Sequence, residues 1–175
     1  MSDLLDTHGV VDADSTLTIQ RLLPGPIDRV WAYLTEGALR LQWLAAGEME
    51  MRVGAEFEFV WRNDDLSGGA GARPEGFPAE HRMRSRITAL EAPRLLAIEW
   101  GSTGGVTFLL EPAGGKVLLT LTHRRVAERA TLLNVSAGWH AHLDVLVAVA
   151  EERLPPPFWP GWLRLKQDYA ARLGG

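Results

Sequence analysis

The fold is decided by residues 138–154, which read GWHAHLDVLVAVAEERL. At about 100° per residue, they divide into two stripes: Trp139, Leu143, Leu146, Ala150 and Leu154 on one side, and Asp144, Ala148, Glu151 and Glu152 on the other. This pattern predicts an amphipathic helix. Because the helix follows a long series of strand-like segments, we expect its apolar side to lie across a single curved sheet, with room for a cavity between them.

Period-two alternation of apolar and polar residues predicts seven strands before this helix. They fall at residues 17–23, 48–53, 56–62, 82–87, 96–100, 106–110 and 117–123. After the first strand, Pro26 suits the first position of a short helix, and a second short helix is expected around residues 39–44. Glycines and prolines predict a long surface loop over residues 63–80. The predicted class is α+β: a seven-stranded curved antiparallel sheet, two short helices after strand 1, a long C-terminal helix and an extra helix after it.

The chain divides into three parts. Residues 1–15 are acidic and lack apolar periodicity, which predicts a flexible N-terminal arm. Residues 16–154 form the domain, and residues 155–175 form a proline-rich bridge and a C-terminal helix packed on the domain. This extension carries three large aromatic residues, Phe158, Trp159 and Trp162. We expect them to act as a clamp or lid, with an oligomer interface as the alternative.

Composition limits the function classes. The 175 residues are most economically one domain; 46% are hydrophobic, 23% are charged and the net charge is -4, as in an ordinary soluble protein. A pI near 5.7 argues against nucleic acid as a partner. The lack of cysteine excludes disulfides, thiolate zinc sites and cysteine nucleophiles. The sequence shows neither a secretory signal nor the ~20 consecutive apolar residues of a membrane span, so we expect a cytoplasmic protein with no membrane partner.

Several local motifs point to a family. They are Pro26 to Trp31, Trp43, Val53-Gly54 before an aromatic strand, Arg86-Ile87 with Leu90, Pro93, Leu95-Leu96 and Trp100, Val106 with Phe108, Leu119 with Leu121 to His123, and Gly138-Trp139. In this order they resemble the START-related, or SRPBCC, superfamily, and within it the branch similar to the C-terminal domain of the heat-shock-protein-90 ATPase activator. The resemblance covers residues 16–154.

The resemblance implies a helix-grip fold, in which a seven-stranded antiparallel sheet curls around the C-terminal helix and commonly encloses an apolar pocket. The superfamily includes lipid carriers, hormone and polyketide binders, cyclases and chaperone regulators. One shared shape therefore selects no single activity.

Apolar side chains directed toward the long helix are candidates for core or pocket. We assign to ligand binding Met49, Met51, Phe57, Phe59, Trp61, Ile87, Ile98, Trp100, Phe108 and Leu121 of the strands, and Trp139, Leu143 and Leu146 of the helix. Most are expected to fill the core and some to line a pocket, since methionine adapts its shape and aromatic rings supply contact area.

Four polar residues complete the candidate binding set. Arg21, Ser85 and His123 share the inward parity of their strands, and His142 is expected at the pocket edge. Arg21 could fix a carboxylate, and His123 could act as an acid or base near neutral pH. Both lie toward strand ends, where the favoured interpretation is a side chain that reaches water. Ser85 is expected to hydrogen-bond locally.

The two histidines of the long helix do not predict a metal site. His140 and His142 are two residues apart and point to different sides, unlike the i, i+4 pair of zinc proteases. His140 and Asp144 have the correct spacing for a helical side-chain pair. We predict no metal and no cofactor.

The predicted function is binding of a small, largely apolar molecule with one polar end, without a strong catalytic signature. One alternative is a cyclase- or lyase-like enzyme using His123 or His142 with Arg21, which requires at least two of these groups to converge in one pocket. Another is a chaperone-accessory or other protein-partner module, and a homodimer is also considered.

Overall fold

The computed structural model describes residues 8–69 and 73–173. Seven antiparallel strands form one sheet in the order β1-β2-β7-β6-β5-β4-β3. The strands are β1 (Val10–Val11), β2 (Leu17–Pro24), β3 (Glu56–Trp61), β4 (His81–Glu91), β5 (Leu95–Ile98), β6 (Gly105–Ala113) and β7 (Lys116–Arg124). The helices are α1 (Ile27–Thr35), α2 (Gly37–Arg40), α3 (Arg129–Ala150) and α4 (Phe158–Arg172), with a 3-10 helix over Asn63–Gly69. The predicted α+β helix-grip architecture is confirmed.

The seven strands are not the seven that the alternation predicts. Residues 48–50 have no regular structure and residues 51–53 form a bend and a turn. Just before them, Ala46 forms an isolated bridge with Val60 of β3. The segment lies between Gly47 and Gly54, whose φ angles of 135° and 91° turn the chain away from an extended path. The seventh strand is instead the short β1, which pairs with the start of β2.

Part of the predicted N-terminal arm belongs to the sheet. Residues 1–7 lie outside the described residues. Val10 lies opposite Thr18 in the sheet, and the Gly9 backbone N–H donates to the Tyr169 hydroxyl at 2.6 Å. Residues 9–11 are thus attached to β2 and to α4.

The long helix differs from its prediction at both ends. It begins at Arg129, nine residues before Gly138, and ends at Ala150, so that Leu154 lies beyond it and is 88% exposed. Ala148, expected on the wet side, is fully buried. Helix α4 packs along α3 and covers part of the side that the periodicity leaves polar, near Asp144.

The interior between α3 and the sheet is filled by apolar side chains. Phe59, Ile87, Leu121, Leu143 and Leu146 are all fully buried there. By length and composition α3 alone among the described helices could cross a membrane, and 56% of that window is buried inside the protein, as in a core helix.

Candidate functional site

A cavity of about 450 Å³ lies between α3 and the β3–β4 edge of the sheet. Its described lining is Leu44, Trp61, Asn63, Phe77, Pro78, Ala79, His81, Met83, Trp100, Asn134, Val135, Gly138, Trp139, His142, Phe158, Trp159 and Trp162. It is therefore at one end of the helix-grip, where the sheet, α3, the loop after the 3-10 helix and the start of α4 meet.

Three tryptophans form the wall on the side of the sheet and α3. The ring centroid of Trp100 is 5.5 Å from that of Trp61 on β3 and 4.9 Å from that of Trp139 on α3. Such tilted and edge contacts are the arrangement that aromatic rings prefer. The sequence predicts all three as ligand-binding residues, and all three line the cavity.

The outer wall comes from the loop and from α4. The Phe77 ring is 5.1 Å from Trp162 and 5.5 Å from Trp159, between ring centroids. Trp159 donates its indole N–H to Asp64 Oδ1 at 2.8 Å, and Asp64 also pairs with Arg73. These contacts attach the loop to α4 over the cavity. The three large aromatic residues of the extension are buried, as a clamp or lid requires.

His142 is the buried titratable group in the cavity wall. Its Nδ1 lies 2.9 Å from the Trp43 carbonyl oxygen, which can only accept, so Nδ1 carries the proton and Nε2 of the neutral ring is an acceptor. Burial lowers the pKa of His142 to about 4, although the bond to Trp43 acts in the opposite direction. The ring packs on Phe158 at 4.6 Å between centroids.

His123 lies behind the cavity wall and not in it. The Trp139 indole N–H donates to His123 Nδ1 at 3.0 Å, so the ring proton is on Nε2, which donates to Thr103 Oγ1 at 2.8 Å. Thr103 in turn donates to the Trp100 carbonyl at 2.7 Å. Burial, with a smaller contribution from Arg124, lowers the pKa of His123 to about 4. The expectation that His123 reaches water is wrong, because Trp139 and Trp100 cover it.

Arg21 lies on the other side of α3, in what we call the polar cluster: Arg21, His140, Asp144 and Tyr169. Arg21 is buried and donates to Asp144 Oδ1 at 3.1 Å, while His140 Nε2 lies 3.5 Å from Asp144 Oδ2. Burial raises the pKa of Asp144 despite the nearby Arg21. The predicted pair of His140 and Asp144 is confirmed, and the expectation that Arg21 reaches water is wrong.

Tyr169 joins the polar cluster to α4. Its hydroxyl accepts from the Gly9 N–H and lies 2.9 Å from His140 Nδ1, to which it can donate. Burial raises the pKa of Tyr169 to about 12. Arg21 and His123 therefore do not converge with His142, and the set that the enzyme alternative requires is not assembled.

The remaining predicted residues do not line the cavity. Phe57, Phe59, Ile87, Ile98, Phe108, Leu121, Leu143 and Leu146 are buried in the packed interior. Ser85 donates to the Glu99 carbonyl at 2.6 Å, the local bond expected for it. Met49 packs against the core, whereas Met51 is 40% exposed because its segment is not a strand.

Sequence reasoning missed the lining that comes from the loop. Asn63, Phe77, Pro78 and Ala79 line the cavity, and the Asn63 side-chain oxygen is buried without a hydrogen-bond partner. A loop without periodicity gives no signal of which side chains turn inward. Within the described ranges, no group of three or more His, Asp or Glu residues is placed to hold a metal ion.

The sheet order, the long helix against the sheet and the apolar cavity define a helix-grip protein of the START-related superfamily. The profile of the family described as Activator of Hsp90 ATPase homolog 1-like protein matches residues 24–151. The chain belongs to this family.

Solved structures agree with this assignment. The protein encoded by gene BPP1335 from Bordetella parapertussis is 41% identical, with a TM-score of 0.78 over 94% of this chain and 89% of that one. CalU16 from Micromonospora echinospora is 20% identical, with a TM-score of 0.67 over 96% of each chain. EF2215 from Enterococcus faecalis, a conserved protein of unknown function, is 19% identical, with a TM-score of 0.71 over 96% and 90%. The last two show the fold alone, and no protein of curated function matches.

Proposed function

We propose that this protein binds a small, mostly apolar molecule in the cavity between α3 and the β3–β4 edge. The supporting observation is an open volume of about 450 Å³ beside a core of buried apolar side chains. Pockets for small ligands commonly measure about 300–1,000 Å³ and have mostly apolar walls with a few polar groups. The family also fits a ligand-binding fold.

The walls favour an apolar body with one polar end. Aromatic rings at the edge of an unfilled volume lack van der Waals partners on one side, and an apolar ligand supplies them. His142 offers an acceptor at Nε2 for the polar end. The family match ends at residue 151, so Phe158, Trp159 and Trp162, which also line the cavity, lie outside the matched range.

We do not extend the proposal to the cyclase- or lyase-like reaction. That alternative needs His123 or His142 together with Arg21. Arg21 instead forms an ion pair with Asp144 in the polar cluster. The family suggests ligand or chaperone-related binding. A chaperone partner, a homodimer, the cytoplasmic location and the exclusion of nucleic acid and membrane stay predictions.

Titration with the neutral dye Nile red tests the proposal. We expect saturable fluorescence enhancement at one site per chain. Val135 lies on α3 and lines the cavity, so the variant Val135→Trp places an indole in the volume and should weaken the enhancement. Leu132 is half-buried on the same helix and is not among the described lining residues, so Leu132→Trp is the matched control and should bind normally.

Two results would overturn the proposal. One is the absence of saturable binding by the native protein. The other is equal binding by folded Val135→Trp, since the dye would then occupy a different place. Extraction of the purified protein with organic solvent, followed by mass spectrometry, would identify a ligand that copurifies.

A further inference from the structure

The described walls of the cavity contain two titratable side chains, those of His81 and His142. Among the described residues that line it, none is Lys, Arg, Asp or Glu. An ion that leaves water without a partner loses much free energy, and an anionic ligand would find neither Lys nor Arg among these residues. Aromatic rings present electron-rich faces that attract cations, and five tryptophans and two phenylalanines are among the described lining residues.

Two indole N–H groups of the walls are already engaged by other residues. Trp139 donates to His123 at 3.0 Å, and Trp159 donates to Asp64 at 2.8 Å. An indole has a single N–H donor. Neither tryptophan can therefore donate to a carboxylate or phosphate in the cavity, although both can offer ring surface to a ligand.

His142 adds an acceptor to this aromatic surface. Its Nδ1–H is bound to the Trp43 carbonyl, so its remaining nitrogen accepts a hydrogen bond and does not donate one. The Phe158 ring lies 4.6 Å from the imidazole between centroids. Because burial lowers the pKa of His142 to about 4, the ring stays a neutral acceptor at pH 7.

We infer that the cavity selects ligands by charge, and that it takes a protonated organic amine on an apolar skeleton in preference to neutral and anionic molecules of the same shape. This inference rests on the proposed ligand-binding function. The ammonium group donates to His142 Nε2, forming a charge-assisted hydrogen bond. Its positive charge lies beside the Phe158 ring, while the apolar skeleton contacts the tryptophans.

A matched series of three compounds tests the inference by calorimetric titration at pH 7. All three carry a two-carbon chain on 2-naphthyl, ending in ammonium, hydroxyl or carboxylate. We expect the ammonium compound to bind tightest, the alcohol to bind more weakly, and the carboxylate to bind at least about tenfold more weakly than the ammonium compound. Equal or tighter binding of the carboxylate overturns the inference.

A charge placed in the wall should change this order. Asn134 is exposed and lines the cavity, so Asn134→Lys adds a cation at little cost to folding. We expect it to shift the ratio of ammonium to carboxylate affinity by at least about tenfold in favour of the carboxylate. The matched control is Thr131→Lys, which places the same charge on α3 outside the described lining and should keep the native order.

The results separate this inference from the proposed function. If Nile red binds and the three naphthyl compounds show no preference for ammonium, the ligand site stands and the charge selection is wrong. An unchanged ratio in Asn134→Lys also contradicts the charge selection. If Nile red and all three compounds fail to bind, the proposed function fails.

Discussion

His140 and His142 lie two residues apart on α3 and have opposite surroundings. His140 belongs to the polar cluster, where its two nitrogens face the Tyr169 hydroxyl and the Asp144 carboxylate. His142 lies in the cavity wall, where one nitrogen is bound to a backbone carbonyl and the other is an acceptor. One helix thus separates a closed polar network from an open aromatic cavity.

Helix α4 contributes residues both to the cavity and to the polar cluster. The first turns of α4 supply Phe158, Trp159 and Trp162 to the cavity, and its later turns supply Tyr169 to the polar cluster. A closed network contributes to stability because its buried groups are paired. An open cavity leaves contacts for a ligand. We therefore expect changes in the polar cluster to alter mainly the free energy of unfolding, and changes in the cavity wall to alter mainly ligand binding.

The largest expected effect is that of Tyr169→Ala. Tyr169 is fully buried and its hydroxyl serves both Gly9 and His140, so the variant should lose about 3–5 kcal/mol of unfolding free energy. Tyr169→Phe keeps the ring and should lose only about 1–3 kcal/mol, the cost of leaving polar partners unpaired. Urea denaturation measures both. Equal losses in the two variants would show that the hydroxyl, not the ring, dominates.

Acid should destabilise the protein because His123 and His142 are buried as neutral rings. His123 and His142 ordinarily have a pKa of 6.5, and burial lowers both to about 4. Between pH 6.5 and pH 4 these histidines are protonated in the unfolded chain and neutral in the folded chain. The free energy of unfolding that is present above pH 6.5 is therefore lost as the pH falls toward 4. Each histidine should contribute about 1.4 kcal/mol per pH unit.

Denaturation curves at pH 7, 6 and 5 check this slope. His142→Gln should reduce it by about half, because one of the two groups no longer titrates. The raised pKa of Asp144 acts in the opposite sense, since its burial cost is relieved on protonation. A slope that is unchanged in His142→Gln would contradict the assignment of this histidine as a buried neutral group.

Asp144→Asn should have a smaller effect on the polar cluster. It removes the charge opposite Arg21, which is buried. Breaking a fully buried pair costs about 3–5 kcal/mol. Here the Asp144 carboxylate is 36% exposed and the change also relieves the burial cost that raises its pKa, so we expect a loss of only about 1–2 kcal/mol. Nile red affinity should stay unchanged, and a parallel loss of binding would contradict the separation of the two sides of α3.

The sequence predicts the architecture well because periodicity reports burial along an element. The alternation of Leu17, Ile19, Arg21 and Leu23 corresponds to the buried face of β2, and Trp139 and Leu143 are buried as expected. The same reasoning fails at Met49 and Met51, where two glycines with positive φ break the strand. Local backbone constraints outweigh a short alternating pattern there.

The candidate site is only partly predictable, because its walls come from segments distant in the sequence. Trp61, Trp100, Trp139 and His142 of the predicted set line the cavity. The packed residues Phe59 and Leu121 have the same parity as Trp61 and Trp100, so parity does not distinguish core from wall. Whether an inward residue lies in the core or in the wall depends on where α4 and the loop pack in the tertiary structure.

The smallest effect on stability is expected for Trp159→Phe. The change keeps an aromatic ring in the wall and removes the indole N–H that donates to Asp64 at 2.8 Å, so the loss should be about 1 kcal/mol. Nile red binding should weaken several-fold because the loop is no longer fixed to α4. Asp64→Asn is the matched control, since its amide oxygen still accepts from Trp159, while the ion pair and the hydrogen bond from Arg73 are lost. If Trp159→Phe lost as much unfolding free energy as Tyr169→Ala and still bound the dye normally, the result would contradict the assignment of the start of α4 to binding and of its end to stability.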